Sequence, residues 1–159
     1  MAERVAEGMA RDSGLEAQFS SAGTSSEELG NPIDWRAVRV LQAHGYRTSG
    51  HRAHQITPDE IRQADLVIGL EQLHINRMLR LVPDADNLAL MTDFDDEAEP
   101  GSGIEDPWYG PQSGFDQTLA AIERAMPGLL DWIGDWTDDT AKLTMPDQRQ
   151  APGSNHDLP

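Results

Sequence analysis

The sequence predicts an α/β domain in which a parallel sheet is covered by helices on both faces, and three observations lead there. Two short apolar runs of strand length, "LVIGL" at residues 66–70 and "NLALM" at 87–91, carry no charge and read as buried strands. Between them Ile75, Met78, Leu79 and Val82 recur at i, i+3, i+4 and i+7, the spacing of one helix face. Ahead of both, "TPDEIRQA" places Thr57 as N-cap, Pro58 at the first helical position and Glu60 at the third, a capping box with the preferred first-turn proline. Strands alternating with helices imply a parallel sheet, and a ligand site is then expected beyond the carboxyl ends of its strands.

The remaining elements follow in order. Ala2, Val5, Ala6 and Met9 predict a first helix that stops at "SGL", residues 13–15. "QFSSAGT", residues 18–24, reads as a short strand running into a small-residue turn. Asp34 is placed to cap a helix carrying Trp35, Val38 and Leu41 and ending at Gly45. Leu119, Ile122, Met126, Leu129, Leu130 and Ile133 form one long apolar stripe with Pro127 inside it, so a kink or break is expected near Met126. A single domain over residues 1–136 is expected, followed by a polar tail over 137–159 without apolar periodicity.

Composition narrows the function classes. At 159 residues the chain has the length of one domain, and 28 acidic against 12 basic residues set its net charge at -16. Such a surface repels nucleic-acid phosphates and anionic membranes, so neither is expected as a partner. Apolar runs fall far short of the roughly 20 residues needed to span a bilayer. The charged, amphipathic start does not resemble a signal peptide, and a cytoplasmic location is the expectation. The sequence has no cysteine, which excludes disulfides, thiolate metal sites and a thiol nucleophile within these residues.

Several residue groups could carry chemistry. Seven acidic residues between Asp93 and Asp106, with no basic one among them, could hold a divalent cation, but EF-hand spacing is absent and a solvated loop is the simpler reading. His51 and His54 stand three apart without a third ligand at a supporting spacing, so no metal or other cofactor is expected. Ser21, His51 and Asp106 supply the residue types of a hydrolase triad, yet no G-x-S-x-G elbow follows a strand. In "DPWYG", residues 106–110, an acid stands beside Trp108 and Tyr109, which is what protonating an aromatic leaving group requires.

"SAGT" (21–24), "GNPID" (30–34), "HGY" (44–46), "HRAHQIT" (51–57), "DLVIGLE" (65–71) and "DPWYG" (106–110) occur in the order and spacing of one family. From the first residue to about Trp136 the chain resembles the low-molecular-weight protein tyrosine phosphatases. The resemblance implies hydrolysis of a phosphomonoester through a phosphocysteine, without a cofactor, on a phosphotyrosine-containing protein or a small aryl phosphate. It implies that Asp106 is the general acid and then base, that Trp108 and Tyr109 flank the substrate ring, and that Ser21 and His51 brace the phosphate loop.

The departures from the family are specific. Its first strand and its C-x-x-x-x-x-R phosphate loop have no counterpart, and the chain opens at the "MAE" that follows that loop in the family. The expectation is therefore a truncated phosphatase, inactive as it stands, whose natural form is longer because an internal methionine has been taken for the initiator. The alternative is a noncatalytic remnant that binds a protein partner through its acidic face. A serine hydrolase using Ser21 is a third, distant reading. Glu71, His54 and Glu27 also differ from common family residues, which bears on substrate preference.

Overall fold

The computed structural model describes the backbone of residues 1–144 and the side chains of residues 1–139. Helix α1 (Ala2–Ser13) is followed by α2 (Trp35–Ala43) and α3 (Pro58–Gln63). Strand β1 (Val67–Gly69), α4 (Gln72–Leu81) and β2 (Leu88–Leu90) then form one β-α-β unit, and a 3-10 turn at Met91–Phe94 leads through an acidic loop into the long α5 (Gln112–Thr144). β1 and β2 pair in parallel with Val67 opposite Leu88 and Gly69 opposite Leu90.

Local chemistry explains most of the helix ends. Thr57 Oγ1 accepts from the Glu60 amide at 3.2 Å while Glu60 Oε2 accepts from the Thr57 amide at 2.8 Å, the reciprocal capping box read from the sequence. Asp34 caps α2 by accepting the Arg36 amide at 2.8 Å. Gly14, at φ 73°, closes α1 in the left-handed region that other residues avoid. The buried face of α2 is Ala37, Val40 and Leu41, whereas Trp35 is 63% exposed.

Alternation along β1 distributes side chains to two cores. Leu66, Ile68 and Leu70 pack on the main cluster with α1, α2 and α5, and Val67 and Leu88 pack on a smaller cluster of Ile61, Met78 and Val82. Helices thus lie on both faces of the sheet, as expected for buried parallel strands.

Two elements differ from the sequence reading. Residues 18–24 do not form a strand and contribute one isolated parallel bridge, Gly23 with Gln55. Gly23 donates to the His54 carbonyl at 2.8 Å and accepts from the Ile56 amide at 2.8 Å, but β1 and β2 pair only with each other among the described residues, so the segment has no ladder to extend. Helix α5 is not broken at Pro127. That proline is on the exposed face. Its missing amide costs about 3 kcal/mol, while burial of the stripe on both sides contributes about 1.5–3 kcal/mol for each large side chain. The expected domain boundary after Trp136 falls within α5, and residues 145–159 of the expected tail lie outside the described residues. No helix among the described residues is long and apolar enough to cross a membrane.

Two glycines of α5 test the packing. A Cβ at Gly128 would meet the Phe94 carbonyl oxygen at 2.3 Å, whereas one at Gly134 meets nothing within 4 Å. We expect Gly134→Ala to stabilise by about 0.5–1 kcal/mol through helix propensity. Gly128→Ala should instead destabilise by about 1–3 kcal/mol in urea unfolding, because the 3-10 turn must move.

Candidate active site

The acid loop follows β2 and the 3-10 turn in sequence and docks beside the carboxyl end of β1. Ile104, buried, donates its amide to the Leu70 carbonyl at 2.7 Å and so ties the loop's start to the residue after the strand. Glu71, next in sequence, accepts the Asp106 amide through Oε1 at 3.1 Å. The Asp106 carboxylate accepts the Trp108 amide on Oδ1 at 3.0 Å, and none of the described hydrogen bonds engages its other oxygen. An aspartate two residues before an amide that it accepts is a short-range turn favoured by Asp and Asn. Trp108 is 39% and Tyr109 99% exposed, and Asp106 is exposed as well.

From the opposite side the loop rests on α2. Arg36 Nη1 donates to the Trp108 carbonyl at 3.1 Å and to that of Gly110 at 3.4 Å, and its guanidinium lies 5.6 Å from the Trp108 ring and 4.5 Å from the Phe115 ring. The Asp34 carboxylate grips the same guanidinium with 3.0 Å contacts to Nε and Nη2. Hydrogen bonding to Arg36 holds the Asp34 carboxyl below its ordinary range. Arg36 is in turn held more firmly charged, by its bond to Asp34 first and then by the charges of Asp34 and Asp106.

Ser21 and His51 come together, but on Glu3 and not on Asp106. The Ser21 hydroxyl donates to Glu3 Oε2, and His51 Nδ1 lies 3.8 Å from the same oxygen. Arg4, 4% exposed, braces this corner through Glu3 at 3.3 Å, Glu7 at 2.8 Å and the Ser49 carbonyl at 2.9 Å. The hydrolase triad is therefore not assembled: no described hydrogen bond joins His51 to Asp106. His54 pairs with Glu60 at 2.6 Å, and among the described residues no three His, Cys, Asp or Glu side chains group to hold a metal.

The acidic run is solvated, as its composition suggests, with Asp95 as the buried exception. Asp95, 7% exposed, binds Arg124 Nε at 2.7 Å, and Asp93 accepts the Leu90 amide at 2.8 Å. Between this loop and α5 runs a groove of about 620 Å³ whose lining includes Asp106, Tyr109, Gln117 and Thr118. Arg36 and Glu3 escaped the sequence reading, and Glu71 entered it only as a departure from common family residues. Their partners lie far along the chain, 72 residues from Arg36 to Trp108 and 35 from Glu71 to Asp106.

Burial drives His51 toward its neutral form, below the usual 6.5; Glu3 opposes this, and the α-amino group, Arg4 and His54 add to it. The unfolded chain therefore binds that proton more readily, and stability is lost as pH falls through about 6.5 toward the lowered value. We expect the urea midpoint of the wild type to drop further between about pH 7 and about pH 5.5 than that of His51→Asn.

Comparison with known proteins places the chain in a family. Residues 1–139 match the family described as low molecular weight phosphotyrosine protein phosphatase. The chain is 38% identical over 140 residues to low molecular weight protein-tyrosine phosphatase A of Mycobacterium tuberculosis, covering 84% of this chain and 82% of that one. It is 35% identical over 136 residues to the low molecular weight protein-tyrosine-phosphatase of Streptomyces coelicolor, covering 82% of each. In fold it is similar to YfkJ of Bacillus subtilis, with a TM-score of 0.79 over 85% of this chain and 86% of that one, at 21% identity. Matched from its first residue to Asp139, and 38% and 35% identical to these two relatives over more than four-fifths of its length, this chain is a member of the low molecular weight protein tyrosine phosphatase family.

Proposed function

We propose that this chain carries the general-acid half of a protein tyrosine phosphatase site, with a phosphotyrosine-containing protein or a small aryl phosphate as substrate. Asp106 protonates the phenolate as its bond to phosphorus breaks, and then as a carboxylate takes a proton from the attacking water. Trp108 and Tyr109 flank the ring of the leaving group, and Ser21 and His51 brace the phosphate loop. The observation that carries this reading is the bond from the Trp108 amide to Asp106 Oδ1, which fixes an exposed carboxylate in the turn that bears two exposed aromatics.

The covalent step needs a thiolate, and the 159-residue sequence contains none. Ser21 does not replace it, because its hydroxyl is donated to Glu3 and, among the described residues, no hydrogen bond runs from it through an imidazole to Asp106. We therefore expect the pure 159-residue chain to hydrolyse no p-nitrophenyl phosphate above the buffer rate; clear turnover would overturn the thiol requirement. The deciding measurement is the intact mass of the protein isolated from its source, with and without thiol alkylation. A mass above 17.5 kDa that shifts on alkylation identifies a thiol-bearing form, in which Asp106→Asn should lower kcat for phenyl phosphate by about 10²- to 10⁴-fold. A mass of 17.5 kDa that does not shift would turn the assignment to a noncatalytic protein-binding module.

A further inference from the structure

We infer that Arg36 is the positioning residue of the acid loop, holding Asp106 and Trp108 at the site from the first turn of α2. Its functional meaning rests on the reading of Asp106 as the general acid. The segment from Asp106 to Pro111 has little of its own to hold it. Tyr109 is 99% exposed, and the turn is closed by two short-range bonds, Trp108 amide to Asp106 and Gly110 amide to the Pro107 carbonyl at 2.9 Å. Exposed turns of this kind open readily unless something distant fastens them.

Arg36 is that fastening. Its Nη1 spans the Trp108 and Gly110 carbonyls on either side of Tyr109, while its flat face lies near the rings of Trp108 and Phe115. Its main-chain carbonyl accepts Gln112 Nε2 at 3.2 Å, so the end of the loop meets the same residue. Asp34 takes the opposite edge of the guanidinium and simultaneously caps α2 through the Arg36 amide, which fixes the arginine in one orientation relative to the helix. A planar fork that donates on two edges and stacks on a ring is a property of arginine that lysine does not share, although both are cations.

The test uses the 159-residue chain and needs no turnover, so a failed phosphatase assay leaves it readable. Amide hydrogen exchange is followed at Trp108 and Gly110, and the Trp108 indole N–H resonance is identified by its loss in Trp108→Phe. In Arg36→Met both loop amides should exchange about tenfold or more faster, and the indole resonance should move, while amides of Ile61 and Leu119 keep their wild-type rates. Arg36→Lys should behave like Arg36→Met, because charge without the fork does not bridge the two carbonyls. Asp34→Asn preserves the helix cap and should shift the loop in the same direction by less. Unchanged loop exchange, equal acceleration throughout the core, or full rescue by lysine would each overturn the inference. Should Arg36→Met fail to fold, Asp34→Asn decides by the same readings.

Discussion

Phe115, Leu119, Ile122, Ala125, Met126 and Leu129 run along one face of α5, all buried, and the other layers of the domain close on them. Val5, Ala6 and Ala10 of α1, Ala37, Val40 and Leu41 of α2, and the inward side chains of the β1 strand meet there in one cluster. Removing this much apolar surface from water is the dominant favourable term in such a domain. It explains why the helix tolerates Pro127 on its outer face, and why it requires Gly128 where the Phe94 carbonyl comes close. The 3-10 turn and α5 approach so nearly that the chain leaving β2 can only continue as a loop lying over the helix.

That loop carries the proposed general acid, and its course follows from the packing beneath it. Near its start Asp95 is anchored to Arg124 of α5, farther on the Glu105 carbonyl accepts the Thr118 hydroxyl at 3.2 Å, and Ile104 is buried beside the sheet. Between and beyond these anchors the loop is largely exposed, the stretch bearing Asp106, Trp108 and Tyr109 included. Polar ties then give it a definite shape, with Glu71 from the end of the sheet and Arg36 from α2 reaching it from two directions. The exposed Asp106 carboxylate is held by the Trp108 amide and not by burial of its own side chain, which keeps it accessible for the proton transfer proposed for it.

The few basic residues matter out of proportion to their number. The net charge of -16 disguises the fact that Arg4, Arg36 and Arg124 each neutralise an acid at a structural junction: α1 with its Ser21 and His51 corner, α2 with the acid loop, and α5 with the acidic loop. Surface ion pairs contribute little to stability, with a median of about 0–1 kcal/mol, but a partly buried arginine that also donates to carbonyls fixes geometry. In this molecule such arginines join segments that apolar packing leaves loosely related.

What the sequence determined by itself is what depends on neighbours within a few residues. The Thr57 and Glu60 capping box, the Asp34 cap, the Gly14 stop, the two strands and the crossover helix between them are local events whose energetics are written in spacing and residue type, although the strands are half-buried and not fully buried. The acid loop was legible for a similar reason, since "DPWYG" keeps its acid and aromatics adjacent. Tertiary structure decided the rest. Residues 18–24 have strand-like composition, but a strand exists only where a partner edge is available. Pro127 looked like a break until burial on both sides of it outweighed one lost hydrogen bond. Ser21 and His51 met at Glu3, and Arg36 met Trp108, because packing of helices on a sheet brings together residues that no periodicity relates.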